Sequence, residues 1–184
     1  RNQRVVGPAS ASQMSSWMQS VQNAARGQPN RLQALTELAN LAFDTSIKQA
    51  MWHDASVRAV LLEAAAAQED DDLRTKAMEV LMGLAFDQAN KEPMWQDELT
   101  RETLLLALKA GQPVSVQAEA IRTAANLAFR SACAYQLWQP IGSNDAQTSL
   151  LAAARNLQDS IVRVEALRTL ANLTYHEPLR PQLV

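Results

Sequence analysis

A ten-residue pattern recurs four times along the chain and constrains its fold more than any other feature. ALTELANLAF begins at Ala34, AMEVLMGLAF at Ala77, AIRTAANLAF at Ala120 and ALRTLANLTY at Ala166, so the spacings are 43, 43 and 46 residues. Trp52, Trp95 and Trp138 keep the same phase, each nine residues after Phe43, Phe86 and Phe129. The pairs Leu61-Leu62, Leu104-Leu105 and Leu150-Leu151 form a third anchor. Self-similarity at this period marks a chain built from stacked units, each too small to bury its apolar face alone. The odd spacing has a local origin: Trp to Leu is nine residues in two units and twelve in the third, which places three extra residues near Pro140–Asn144. Pro, Gly, Ser and Asn there suit a connection, where a repeat array tolerates insertion.

Within a unit the apolar period is helical. Leu73, Ala77, Val80-Leu81 and Leu84 fall at i, i+4, i+7/8 and i+11, one face of a helix. A short element around Met94-Trp95 follows, with Pro93 suited to a helix start. A further helix carries Leu99, Leu104-Leu105 and Leu108 before Gly111 and Pro113 end it. Composition agrees: 32 Ala and 24 Leu against 5 Gly favour helix, and thinly spread β-branched residues argue against a β-sandwich. The expectation is an all-α chain.

The run A-[LMI]-x-x-[LA]-x-[NG]-L-A closing a helix, at about 42 residues per unit, resembles the armadillo repeat over roughly residues 13 to 184. The Asn-Leu-Ala ending separates it from the related HEAT type, which stays open for individual units. The resemblance implies a right-handed α-solenoid of about four stacked three-helix repeats. Phased on that family, residues 1–12 are a linker or tail and 13–29 a partial unit whose helix holds Trp17, Met18 and Val21. Full units follow at 30–72, 73–115 and 116–161, then a cut-off unit at 162–184. A fourth Trp would fall at Val184. The chain also opens on Arg1 without a signal-like apolar stretch. Both facts suit an excised segment of something larger.

Trp52, Trp95, Trp138 and the Phe closing each helix could be read as an aromatic binding ladder. Large aromatics in phase with Leu and Ala more often pack between units, each covering roughly 150–250 Å², so these are expected in the core. The polar position inside the repeat is different. Asn40, Gly83, Asn126 and Asn172 share one site in an otherwise apolar helix, where Asn is a poor helix former. The family resemblance implies that the matching Asn lines a concave groove and bonds the backbone of an extended peptide. A primary amide offers both donor and acceptor and so suits that role. Capping or bridging between helices is the other reading of these Asn.

Four residues before that site stand Thr36, Glu79, Arg122 and Arg168, and four after it Asp44, Asp87, Arg130 and His176. Both rows run from neutral or acidic to basic, which a net charge of −2 conceals. Two readings remain: opposed charged halves of one groove, or a solvated face. The importin-α type of armadillo protein carries Trp four residues before the Asn, and none stands there in this chain. Two of those four positions would repel a Lys-rich signal, so an import receptor is not expected. With Gly83 interrupting the row, three amides at about 1 kcal/mol net each give association of roughly micromolar strength.

Catalytic patterns are lacking: no phosphate loop, nucleophile elbow or Cys-His pair at ligand spacing occurs. Glu69–Asp72 lacks the alternating ligands and Gly of a calcium loop and is expected to be a solvated turn that caps a helix. Cys133 is lone and expected to pack, which suits a reducing, cytoplasmic or nuclear compartment. No cofactor, nucleic acid or membrane partner is indicated. The expected function is non-enzymatic: a module binding a protein or peptide segment through Thr36, Asn40, Glu79, Asp87, Arg122, Asn126, Arg130, Arg168 and Asn172. The alternative is a structural spacer within a longer repeat protein, or a segment that self-associates end to end.

Overall fold

The computed structural model describes residues 11–25, 30–139 and 145–183, and among these every regular element is helical. The N-terminal tail up to residue 10 and the expected insertion at Pro140–Asn144 lie outside the described residues. In chain order the elements are α1 (Ala11–Ala25), α2 (Asn30–Leu41), α3 (Lys48–His53), α4 (Ala55–Ala65), α5 (Asp71–Leu84), α6 (Lys91–Gln96), α7 (Glu98–Ala107), α8 (Val114–Leu127), α9 (Ser131–Trp138), α10 (Ala146–Ala154), α11 (Ser160–Leu173) and a closing 3₁₀ helix at Glu177–Gln182. Thus α1 begins two residues inside the stretch expected to be linker. A short helix, a middle helix and a long helix follow one another three times.

Acidic N-caps start these helices where the sequence repeats them. Asp54, Asp97 and Asp145 accept from backbone N–H groups at the starts of α4, α7 and α10, and Asp70 and Asp159 do so for α5 and α11. Each satisfies an amide that the helix itself leaves unpaired. The carboxylate run at Glu69–Asp72 is therefore a capping turn, with Asp70 taking the Leu73 N–H at 2.9 Å. Gly111 has φ of 89°, the left-handed region favoured by glycine, and turns the chain between α7 and α8.

The long helices pack in sequence, α1 on α2, α2 on α5, α5 on α8 and α8 on α11, while α4, α7 and α10 each back the long helix that follows. Leu73, Ala77, Val80, Leu81 and Leu84 are all buried, as the helical period predicts. Trp17, Trp52, Trp95 and Trp138 are buried as well. Two are anchored across units: Trp17 Nε1 donates to Asp54 Oδ2 at 3.0 Å and Trp95 Nε1 to Gln136 Oε1 at 2.7 Å. Leu99, expected on the packed face of its helix, is instead exposed. It lies in the first turn of α7, and the neighbouring Thr100 takes the buried position.

The closing aromatics depart from expectation. Phe43, Phe86 and Phe129 are 50%, 63% and 56% exposed and Tyr175 is 73% exposed, so they are not core. The reason is local geometry. Each lies beyond the last regular turn, and its N–H bonds only three residues back, to Asn40, Gly83, Asn126 and Asn172. That tighter bond rotates the ring off the packed stripe, and Ala42, Ala85 and Ala128 just before it occupy the buried position.

Candidate functional site

The candidate surface is the row where α2, α5, α8 and α11 end. Asn40 is exposed and Asn172 half-buried, and among the described residues neither side-chain amide is engaged in a hydrogen bond. Asn126 is different: its Nδ2 donates to the Met82 carbonyl of α5 at 3.2 Å. This amide bridges two long helices, leaving its carbonyl oxygen for other partners. Both sequence readings of the Asn row thus find a residue that fits.

Gly83 has a packing reason. A Cβ on it would stand 2.9 Å from Ala42 Cβ and 3.2 Å from the Ala42 carbonyl oxygen. At the interrupted rung α5 lies close against the end of α2, and an Asn cannot enter there without moving backbone.

The charged rows are more balanced than their sequence suggests. Arg122 pairs with Glu119 on its own helix and reaches Glu165 of α11 at 3.2 Å, while Arg168 bonds the same Glu165 at 3.1 Å. Glu79 pairs with Lys76 at 2.5 Å, and Arg130 with Glu92 at 3.1 Å. The missed residues form their own row: Gln33, Lys76, Glu119 and Glu165 stand three positions before Thr36, Glu79, Arg122 and Arg168 and run oppositely in charge. That spacing was the available signal, since i and i+3 meet on a helix surface. Burial raises the pKa of Glu119 despite Arg122 beside it. Thr36 turns inward on its helix, its hydroxyl donating to the Leu32 carbonyl at 2.9 Å.

The row after the Asn site sits in turns. Asp44 accepts from the Ser46 N–H and hydroxyl, and those bonds lower its pKa. Asp87 accepts from the Ala89 N–H at 2.8 Å. His176 Nε2 lies 2.6 Å from the Ala128 carbonyl oxygen, which ties the end of α11 to that of α8.

No family model matches this sequence, and no curated protein matches it.

Beneath the aromatic row run buried cations that the sequence reading did not single out. Lys91 donates to the Ala85 carbonyl at 2.7 Å and the Asn126 carbonyl at 2.8 Å, closing the C-terminal ends of α5 and α8 together. A cation there faces the negative end of two helix dipoles. Burial still outweighs this and lowers the Lys91 pKa to about 8. Arg180 makes the equivalent bond to Thr174 at 2.7 Å. Lys48, at the same place one unit earlier, stands 6.0 Å from the Phe43 ring centroid and 5.2 Å from that of Phe86, and Lys91 stands 5.8 Å from that of Phe129. The recurrence of Lys48 and Lys91 at 43 residues was visible in the sequence, but the contacts that bury them are not.

Cys133 is buried with its thiol directed at the Lys91 carbonyl, 3.6 Å away, and burial pushes its pKa up to about 11. A protonated, enclosed thiol is a poor nucleophile. Among the described residues no three His, Cys, Asp or Glu side chains gather as metal ligands, and no helix is long and apolar enough to cross a membrane.

Proposed function

We propose that this chain is a right-handed α-solenoid of armadillo repeats that binds a segment of a partner protein along its long helices, without catalysis. Support for the arrangement comes from the successive packing of α2, α5, α8 and α11 and from contacts that recur one unit apart, such as the bonds of Arg58 to the Trp52 carbonyl and of Arg101 to the Trp95 carbonyl. One observation carries the binding role. Asn40 and Asn172 hold amides with unspent hydrogen-bonding capacity at the equivalent place in two units, among exposed rings. An extended segment lying across the helix ends would offer those amides its backbone, whatever its side chains. Glu79 and Asp87, opposed to Arg122, Arg130 and Arg168, bias its charge direction, with basic residues toward the first units and acidic ones toward the last.

The test is a titration with an unstructured peptide, basic in one half and acidic in the other. Arg130 and Arg168 are the positions to reverse, because they are the most exposed of the three cations. Arg122 is the least exposed of them and pairs with both Glu119 and Glu165, so reversing it would confuse binding with stability. Arg130→Glu with Arg168→Glu should weaken the complex several-fold. Unchanged affinity, or no binding by the parent chain, would sink the reading.

A second reading rests on α11. Leu167 is 51% exposed, whereas its counterparts Leu35, Met78 and Ile121 are fully buried under the next long helix. Ile161 and Val164 beside it are exposed too. Such a face favours a structural or self-associating role. Sedimentation across a concentration range decides it: a single monomeric species at all concentrations speaks against self-association.

A further inference from the structure

The rings of Phe43, Phe86, Phe129 and Tyr175 form an exposed aromatic row, one ring per unit, at half exposure or more. Each ring residue is tied by its N–H to the carbonyl of Asn40, Gly83, Asn126 or Asn172. The aromatic row therefore runs alongside the amide row. Lys48 stands 6.0 Å from one ring centroid and 5.2 Å from the next, so Phe43 and Phe86 lie within about 11 Å of each other. Long helices packed side by side are spaced about 8–10 Å apart, which agrees.

A repeat of about 8–10 Å between adjacent long helices discriminates among peptide conformations. A β-strand returns to one face every second residue, about 6.6 Å, and then overshoots at about 13 Å. An α-helix can match at about 10.5 Å over seven residues, but its backbone is already bonded and leaves nothing for the amides. A polyproline II segment presents one face every third residue, about 9.3 Å, with its carbonyls unpaired. It meets one ring per turn, and an amide donor where Asn40 or Asn172 stands.

Charge around the rings points the same way. Lys48 lies near Asp44 and Asp87, Lys91 near Asp87, and Arg130 is paired with Glu92. Around and beneath the rings Lys48, Lys91 and Arg130 offset Asp44, Asp87 and Glu92, so a charged ligand gains no net pull, while apolar rings beside the amides of Asn40 and Asn172 suit proline.

Resting on the peptide-binding reading above, we infer that the aromatic row with Asn40, Asn126 and Asn172 is a docking surface for a proline-rich segment in the polyproline II conformation. One turn of the segment seats on each unit, its prolines against the rings and its carbonyls toward the amides.

The test uses the full chain and two probes: a peptide with Pro at every third position, and the charge-patterned peptide that contains no Pro. The proline peptide should bind and shift the ring resonances of Tyr175. Phe86→Ala with Phe129→Ala, both exposed positions, should weaken it at least tenfold while circular dichroism shows the chain still folded at the assay temperature. Replacing each Pro of the probe by Ala should weaken it similarly. Binding that ignores the loss of the rings, or no binding of the proline peptide, overturns the inference. If the charge-patterned peptide still binds in that case, the groove reading stands and only the proline assignment falls. If neither peptide binds, both fall.

Discussion

Gly83→Ala is the perturbation whose sign separates close helix packing from an incidental glycine. In an open helix interior, replacing Gly with Ala stabilises by about 1 kcal/mol, because Gly loses more backbone freedom on folding. At Gly83 the added Cβ would stand 2.9 Å from Ala42 Cβ, 3.2 Å from the Ala42 carbonyl oxygen and 3.4 Å from its carbonyl carbon. None of these is the end of a flexible side chain, so α2 and α5 must separate. Overpacking of this kind costs about 1–3 kcal/mol. The opposing terms leave a net destabilisation of up to about 2 kcal/mol, or a few degrees in Tm for a chain of this size. Urea unfolding monitored by circular dichroism measures it. Ala42→Gly removes the nearest clashing atom, so the double variant Ala42→Gly/Gly83→Ala should show a favourable coupling of about 1 kcal/mol in a double-mutant cycle. A Gly83→Ala variant more stable than the parent by about 1 kcal/mol would refute the close approach, and with it the explanation for the missing rung.

Two further outcomes follow from burial. Trp95→Ala should lower stability by about 3–5 kcal/mol, because the indole is fully enclosed and loses its bond to Gln136; an unchanged denaturation midpoint contradicts its core role. Burial lowers the Lys91 pKa to about 8 in the fold from its ordinary 10.5, so the unfolded chain holds the proton more tightly. Stability of the parent relative to Lys91→Met should therefore rise with pH from about 8 to 10.5. Both proteins are compared in a Cys133→Ala background, because the Cys133 thiol is coupled to Lys91, and a flat difference would count against the buried ammonium.

Much of this architecture is legible in the sequence because a helical period of apolar residues and a 43-residue recurrence are local and repeated signals. Leu73 through Leu84 could be assigned to the core from spacing alone, as could the Trp row. The Phe positions could not. Their pattern continues the apolar stripe of the long helix, yet the final turn tightens to a three-residue bond and turns the ring outward, which no periodicity records. Arg122 was legible as a cation, but its partner Glu165 lies 43 residues away on the neighbouring helix. Reading charges at one position per turn hid the opposing row three residues earlier. Lys48 and Lys91 look like ordinary surface residues in sequence. Lys91 is buried because the carbonyl ends of α5 and α8 supply acceptors inside the packed units, and Lys48 lies against the Phe43 and Phe86 rings, contacts made only in the folded array.

Nuclear magnetic resonance of the side-chain amides shows whether a partner segment lies across the ends of the long helices. Titration with the proline-rich and charge-patterned peptides should move the Asn40 and Asn172 side-chain NH₂ signals first, together with the backbone amides of Phe43, Phe86, Phe129 and Tyr175. Shifts confined to α4, α7 and α10, with the Asn40 and Asn172 signals unmoved at saturation, would contradict it.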